Sequence, residues 1–113
     1  MSEPINIDTT LDVAGGDDEV RETTDVQSED AAFQFEIGGA TTDTDVHFEA
    51  RLSDSLPWED YLKNTDGGWT ALSNGATIPP LIVDLGAVDQ IRVRVVNQDG
   101  ANQAEVTATV ITQ

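Results

Sequence analysis

The sequence predicts an all-β protein: an antiparallel β-sandwich of the jelly-roll type, with about seven or eight strands and one short helical turn. Apolar and polar residues alternate with a period of two in several segments, whereas helical periodicity is nearly missing. Clusters of Gly, Asn, Asp and Pro separate these segments at short intervals, as turns do. The 113 residues suffice for one domain with one core.

The N-terminal part of the chain is predicted to hold one or two strands and a long loop. The segments PINI and TLDV, residues 4–7 and 10–13, show short strand-like alternations. Residues 15–30 contain almost no apolar side chains and predict a solvated acidic loop or arm. We therefore expect an N-terminal strand region with an arm over residues 1–30 and the sandwich over residues 31–113, within a single domain.

Six further strands follow from the alternation. AAFQFEI places Phe33, Phe35 and Ile37 on one face, and VHFEARL places four apolar side chains, the last of them Leu52, opposite polar ones. QIRVRVV directs its aliphatic residues inward and its two arginines outward. The predicted strands cover residues 31–37, 46–52, 69–72, 81–85, 90–96 and 104–112.

The segment SDSLPWEDYLKNTDGG departs from the β pattern. Pro57 suits the first turn of a helix, and Trp58, Tyr61 and Leu62 have helical spacing. This predicts a turn or two of helix over one edge of the sandwich. The alternative is an aromatic loop displayed for binding.

The charge balance is the strongest compositional signal. The chain carries 22 acidic residues against five Lys and Arg, for a net charge of −17. Carboxylates at this density repel one another in dilute buffer, but at about 1 M salt the Debye length is only roughly 3 Å. The composition is typical of salt-loving microbes and of viruses that infect them, with an ordinary acidic protein as the alternative. So few cations also argue against a nucleic-acid partner.

The residue inventory argues against catalysis. Cysteine is absent, the single histidine, His47, is expected to point outward on a strand as a spectator, and no nucleophile or nucleotide-binding motif is present. Acidic runs at residues 17–19 and 43–45 lack the order of a calcium-binding loop, so we expect solvated loops there. The sequence therefore predicts a non-enzymatic protein without a cofactor or metal.

Localisation is predicted from the N-terminus and from hydropathy. The first residues lack the basic and apolar regions of a signal peptide, and no apolar run is long enough to cross a bilayer. We expect synthesis in the cytoplasm without a signal peptide, and no membrane partner.

The C-terminal part of the chain carries two resemblances. Residues 45–113 contain W-T-x-L at Trp69, an aliphatic V-D-L strand and the alternating I-R-V-R-V strand. This passage resembles the C-terminal half of small jelly-roll sandwiches in tailed-virus structural proteins. It also looks like part of discoidin-like carbohydrate-binding modules. The first resemblance implies a virion protein, and the second implies a glycan-binding adhesion module.

We therefore expect a structural protein of a tailed virus of halophilic archaea: a capsid decoration, turret or head–tail component that contacts the major capsid protein or other virion proteins. A homo-oligomer, as a trimer or pentamer, would fit capsid axes. The candidate interaction residues are Arg92, Arg94, Trp58 and Tyr61.

Each candidate residue has two interpretations. Arg92 and Arg94 either pair with acids on neighbouring strands or dock onto an acidic partner. In the glycan-binding alternative, Trp58 and Tyr61, with or without Trp69, are exposed side by side. In the structural interpretation, Trp69 is in the core, while Trp58 and Tyr61 seal the edge of the sandwich.

Overall fold

The computed structural model describes residues 6–23, 30–53, 55–60, 69–84, 88 and 90–112. Within this part of the chain it contains nine strands and no helix. The strands are β1 (Asn6–Val13), β2 (Asp18–Thr23), β3 (Asp30–Gly39), β4 (Thr44–Arg51), β5 (Glu59–Asp60), β6 (Trp69–Leu72), β7 (Thr77–Asp84), β8 (Gln90–Asn97) and β9 (Ala104–Thr112).

Two antiparallel sheets form a β-sandwich, as the alternation predicted. Sheet A has the order β1-β9-β3-β7, and sheet B has the order β2-β8-β4-β5, with the short strand β6 also pairing with β4. Most connections cross from one sheet to the other, since β1, β3, β7 and β9 lie in sheet A and the intervening strands lie in sheet B. The jelly-roll connectivity stays a prediction with which this order is compatible.

The core consists of the inward side chains of the two sheets. Phe33 is fully buried, and its ring centroid lies 5.2 Å from that of Phe48 and 5.7 Å from that of Trp69. Burying a side chain of this size stabilises the fold by about 1.5–3 kcal/mol. The predicted inward faces of β3, β8 and β9 are confirmed by the buried residues Phe33, Phe35, Ile37, Ile91, Val93, Val95, Val106, Ala108 and Val110.

The prediction of an acidic loop is wrong for residues 18–23. These residues form β2, which pairs with β8 along its whole length, from Asp18 opposite Val96 to Thr23 opposite Ile91. β2 lacks the apolar alternation of a strand, because its positions opposite the buried Val93 and Val95 are Arg21 and Glu19, whereas Val20 is opposite the outward Arg94. Val20, the central apolar residue of β2, is 38% exposed. Residues 24–29 of the predicted loop lie outside the described residues.

The helical prediction is wrong for the residues that the structure describes. Pro57 and Trp58 are in neither a helix nor a strand, and Glu59–Asp60 form β5, which pairs with Glu49 and Ala50 of β4. The remainder of the predicted helix, including Tyr61, lies outside the described residues. Leu52 was expected to face the core with the inward residues of β4, but it follows the end of that strand and is 57% exposed.

Candidate interaction face

The outer face of sheet B brings together most of the cationic side chains that the structure describes. The register places His47 of β4 opposite Arg94 of β8, and Glu49 opposite Arg92. Arg51 lies two residues farther along β4 on the same face. We call the outward side chains of His47, Glu49, Arg51, Arg92 and Arg94 the arginine face. The prediction that Arg92 and Arg94 point outward together is confirmed.

Glu49 is the centre of this face. The Nε atoms of Arg92 and Arg94 donate to the same carboxylate oxygen of Glu49, at 2.7 Å and 3.2 Å. The Glu49 side chain is 6% exposed, against 19% for Arg92 and 29% for Arg94. Cross-strand pairing of the two arginines is therefore observed, as the first interpretation expected. The register also places Glu22 of β2 opposite Arg92 and Asp60 of β5 opposite Glu49, so further acidic positions border the two arginines on this face.

Both arginines contact Glu49 through Nε rather than through their terminal nitrogens. Arg92 and Arg94 use Nε for Glu49, and within the described part of the chain no Nη nitrogen of either one donates a hydrogen bond. An arginine presents its Nη groups as a planar fork that fits a carboxylate in a bidentate geometry. Two such forks therefore project from one strand, held at their Nε atoms by Glu49.

Trp58 covers part of the arginine face. The guanidinium carbon of Arg51 lies 4.3 Å from the Trp58 ring centroid, and that of Arg92 lies 4.5 Å from it. These are stacking distances at which the electron-rich ring attracts a cation. Arg51 also donates a hydrogen bond from Nη1 to the backbone carbonyl of Leu56, two residues before Trp58, at 3.4 Å. The stacking holds Trp58 against the outer face of sheet B, over its two central strands, and the sealing of the sandwich edge by Trp58 and Tyr61 stays a prediction.

The two tryptophans lie on opposite sides of sheet B. Trp69 packs against the core, with its ring 5.5 Å from that of Phe35 and nearly perpendicular to it. Trp58 instead lies over the outward arginines. The rings of Trp58 and Trp69 therefore do not lie side by side as a surface on which a sugar could stack. Tyr61, which the glycan-binding alternative places beside Trp58, lies outside the described residues.

A pocket of about 380 Å³ opens at the end of β4. The described residues that line it are mainly apolar, among them Leu52, Leu56, Pro57 and Val88, with Arg51 and Glu59 as the charged members. Among these lining residues there is no serine, histidine or lysine that would serve as a nucleophile or base. The pocket therefore offers mainly apolar contact area.

The outer face of sheet A carries exposed acidic side chains. Asp12 of β1 is directly opposite Glu105 of β9. Glu36 of β3 is opposite Thr107, which lies two residues after Glu105 on β9. Asp12, Glu36 and Glu105 are all exposed. Thr10 and Thr107 hydrogen-bond to each other through their hydroxyl groups at 3.2 Å. We call Asp12, Glu36 and Glu105 the acidic face.

The acidic run at residues 43–45 is only partly a solvated loop. Asp45 belongs to β4, is 7% exposed, and accepts hydrogen bonds from the Ala71 backbone N–H at 3.0 Å and from the Gln98 side chain. Ala71 has a φ of 55°, a left-handed conformation that costs a non-glycine residue roughly 1–2 kcal/mol. The Asp45 carboxylate therefore stabilises a strained bulge between β4 and β6. In the run at residues 17–19, Asp17 is in a turn, and Asp18 and Glu19 begin β2.

A buried polar cluster closes one end of the sandwich. The side chain of Asn97 is inaccessible to solvent, accepts from the Thr41 hydroxyl at 3.0 Å, and donates to the backbone carbonyls of Val13 and Asn102. Asp99 accepts from the backbone N–H groups of Ala101, Asn102 and Thr42. The hydrogen bonds from the Ala101 backbone, the Asn102 side chain and the Thr42 backbone, in that order, hold the pKa of the Asp99 carboxyl far below its usual range.

Sequence reasoning missed Glu49 and Arg51. Alternation places both outward on β4, but only the register with β8 shows that Glu49 lies beside both arginines. His47 points outward as expected, yet it is 7% exposed because β4 is covered on both faces. The signal that could have identified Glu49 is a lone acid on a predicted strand, since opposite charges on neighbouring strands attract.

Among the described residues, no group of three or more acidic or histidine side chains is arranged to hold a metal ion. The part of the chain that the structure describes also contains no helix with the length and hydropathy needed to span a membrane. No protein-family model matches the chain, and no curated protein sequence matches it.

Proposed function

We propose that this protein is a non-enzymatic structural subunit of a virus particle, specifically of a tailed virus of halophilic archaea. In this proposal it is a capsid decoration, turret or head–tail component that contacts identical copies and the major capsid protein. Its site of action is the virion. Its work is to present surfaces for assembly, and its sheets provide those surfaces.

The observation that carries the proposal is the outer edge of sheet A, formed by β1, along which the described part of the chain places no pairing strand. This strand ends sheet A, pairs with β9 on its other side, and has eight residues without a proline. An unpaired edge offers backbone donors and acceptors to a strand of another subunit. The opposite end strand, β7, contains Pro79 and Pro80, which lack the N–H that pairing requires. Strand addition is therefore directed to the β1 side of the sheet.

The charge of the chain supports a salt-rich setting for this assembly. Two copies that each carry −17 repel strongly in dilute buffer. Concentrated salt screens this long-range repulsion and leaves backbone hydrogen bonds and apolar contacts in place. Assembly of so acidic a subunit is therefore favoured where the salt concentration is in the molar range.

The arrangement of the aromatic residues favours assembly over glycan binding. A sugar-binding platform needs exposed ring faces, but Trp58 is already contacted by two guanidinium groups and Trp69 packs on the core. Acrylamide quenching of tryptophan fluorescence separates the two functions. The assembly proposal expects Trp69 to be protected, whereas efficient quenching of both tryptophans would favour a glycan-binding module.

Sedimentation velocity between about 0.1 M and 3 M NaCl, with circular dichroism on the same samples, tests the proposal. We expect a folded, discrete oligomer, a trimer or pentamer, at high salt, because screening removes the repulsion both within and between subunits. A chain that is a folded monomer at every salt concentration would contradict the assembly function.

A further inference from the structure

The β1 edge of sheet A is regular along its whole length. β1 pairs with β9 without interruption, from Asn6 opposite Ile111 to Val13 opposite Ala104, and it contains no proline. Exposed sheet edges in natural proteins usually carry a device that prevents pairing with another chain, such as a proline, a bulge, a very short strand or an inward-pointing charge. β1 has none of these devices, so its backbone offers a continuous row of donors and acceptors.

The other end strands that the structure describes each carry such a device. β7 contains two prolines, and its pairing with β3 shifts register once. β2 has Glu19 and Arg21 at the positions opposite the buried Val95 and Val93, so charged residues occupy its inward positions. β5 is only two residues long, and the pairing of β6 with β4 is shifted. Among the described end strands, β1 alone is therefore open to strand addition, and β1 of a second copy is the strand that can join it.

Alternation restricts how two β1 strands can meet. Leu11 and Val13 are buried on the inner face of sheet A, whereas Thr10 and Asp12 are exposed on its outer face. Residues directly opposite each other in an antiparallel pair project to the same face. A continuous sheet therefore places even-numbered positions of β1 opposite even-numbered positions of the second copy. Two identical antiparallel strands are related by a two-fold axis, which in these registers passes beside a single residue of each strand.

The two aspartates of β1 exclude two of these registers. With the axis at Asp8, this residue lies opposite its own copy. With the axis at Thr10, Asp8 lies opposite Asp12 of the second copy. Carboxylates directly opposite each other, with Cβ atoms about 4.5–5.5 Å apart, destabilise a strand pair. Salt weakens this selection but does not reverse it.

Among the registers that keep the aspartates apart, one pairs the longest stretch of chain. The axis at Leu11 pairs only residues 9–13 of the two copies. The axis at Thr9 pairs residues 6–12. Each added residue pair contributes to the ladder of backbone hydrogen bonds, so the register with the axis at Thr9 is favoured.

We propose that β1 of one copy pairs antiparallel with β1 of a second copy, with Thr9 opposite its own copy. In this register Asp8 lies opposite Thr10 of the second copy. Asp12 lies opposite Asn6, so each aspartate faces a residue with a hydrogen-bond donor. The contact joins two four-stranded sheets into one continuous sheet. This inference rests on the proposed assembly function and names the strand, direction and register of one of its contacts.

The symmetry and the size of the contact determine its role. A two-fold contact closes after two copies, so it links neighbouring trimers or pentamers and does not build them. Pairing of residues 6–12 is narrow beside the roughly 1,200–2,000 Å² that stable interfaces bury. We therefore expect weak pairing between two free copies, and stronger pairing where many copies are held side by side in a particle. Molar salt favours it, because repulsion between two chains of −17 is screened.

Disulfide trapping is the principal test, because the chain has no cysteine of its own. Asp8→Cys and Thr10→Cys are prepared as separate chains, mixed 1:1 in about 3 M NaCl, and oxidised in a glutathione buffer. Directly opposite residues have Cα atoms about 4.5–5.5 Å apart, which a disulfide can bridge. Either chain alone places its two cysteines on a diagonal of about 7–8 Å, which is too long. We expect at least about five times more cross-linked dimer in the mixture than in either chain alone.

A matched control uses the neighbouring strand. Thr107 of β9 is directly opposite Thr10, is also exposed, and lies on the same outer face. A mixture of Asp8→Cys with Thr107→Cys therefore has the same side chains, but one of them lies about 4.8 Å farther from the contact. We expect no more cross-linking in this mixture than in the single chains. Circular dichroism verifies that each chain is folded.

Charge gives an independent readout of the register. Thr10→Lys places a cation opposite Asp8 of the second copy at two symmetry-related positions, whereas Thr107→Lys makes the same change in net charge on β9. In sedimentation equilibrium at about 1 M NaCl, we expect the dissociation constant of Thr10→Lys to be at least about twofold lower than that of Thr107→Lys. Equal constants for the two chains contradict the register.

The outcomes separate the inference from the function on which it rests. Cross-linking confined to the mixture of Asp8→Cys and Thr10→Cys supports the inference. Equal cross-linking by Thr10→Cys alone indicates another register, and equal cross-linking in the Thr107→Cys control indicates random collision, so either result overturns it. An oligomer in sedimentation without any cross-link overturns the β1 contact and leaves assembly through other surfaces intact. A chain that is monomeric at every salt concentration and does not cross-link overturns both.

Discussion

Replacing both arginines beside Glu49 should lower the free energy of unfolding, because the buried Glu49 carboxylate loses its cationic partners. The Glu49 side chain is 6% exposed, and the two Nε contacts at 2.7 Å and 3.2 Å are its cationic partners in the described part of the chain. In the variant Arg92→Met with Arg94→Met, the carboxylate would be buried without compensation. Breaking a buried ion pair from one side costs about 3–5 kcal/mol.

The partial exposure of the arginines places the expected loss near the lower limit of that range. The side chains of Arg92 and Arg94 are 19% and 29% exposed, so water enters the site once they are shortened. We expect a loss of about 3 kcal/mol in the free energy of unfolding. For a domain of this size, such a loss lowers Tm by roughly 12 °C.

A triple variant separates charge burial from packing. Adding Glu49→Leu to the double variant removes the isolated carboxylate, and replacement of a buried ion pair by apolar residues is often neutral in stability. We expect the triple variant to regain all but about 1 kcal/mol. Urea unfolding in about 2 M NaCl measures all three chains. The reasoning is refuted if the double variant unfolds within about 0.5 kcal/mol of the unmodified chain, or if Glu49→Leu brings no recovery.

Three further predictions concern the core, the acidic face and the turn after β8. Phe33→Ala should cost about 3–5 kcal/mol in urea unfolding, because a fully buried ring in contact with three other rings is removed; a loss below about 1 kcal/mol would contradict the assigned core. Glu105→Lys turns a like-charge pair with Asp12 into an attractive one and should raise stability by about 0.2–1 kcal/mol in dilute buffer. The gain should disappear in about 3 M NaCl, and an equal gain at both concentrations would exclude an electrostatic cause. The lowered pKa of the Asp99 carboxyl means that its stabilising contribution is complete above its unfolded-state pKa of about 4 and decreases as pH falls toward its folded-state value. Asp99→Asn should therefore lower Tm at neutral pH and flatten its decline below about pH 4, and parallel acid profiles for the two chains would contradict the assignment.

Much of the sandwich could be predicted because alternation is a direct consequence of having one covered face. β3, β8 and β9 have strict alternation and were predicted with the correct inward residues. β2 was missed because an edge strand with one central apolar residue, Val20, resembles a polar loop in sequence. Trp58 was misassigned to a helix because the spacing of apolar residues indicates only which of them would share a face if a helix formed. In the structure, the Trp58 ring is covered by two arginine side chains without a helix.

The candidate site was only half predictable for a different reason. The outward direction of Arg92 and Arg94 follows from their own strand, since it needs only the period of two. Their convergence on Glu49 depends on the register between β4 and β8, which are separated by some forty residues of chain, as the pairing of Glu49 with Arg92 shows. The register between two strands depends on how both sheets pack, so it cannot be read from the alternation within either strand alone.

A concentration series of ¹⁵N–¹H correlation spectra in about 3 M NaCl tests the central claim most directly, because it reports which amides sense a second copy. The account predicts that signals from β1, residues Asn6–Val13, shift as the protein concentration rises, because this strand forms the edge of sheet A that is proposed to pair with another copy. Shifts confined to other strands, or spectra that do not change with concentration, would contradict it.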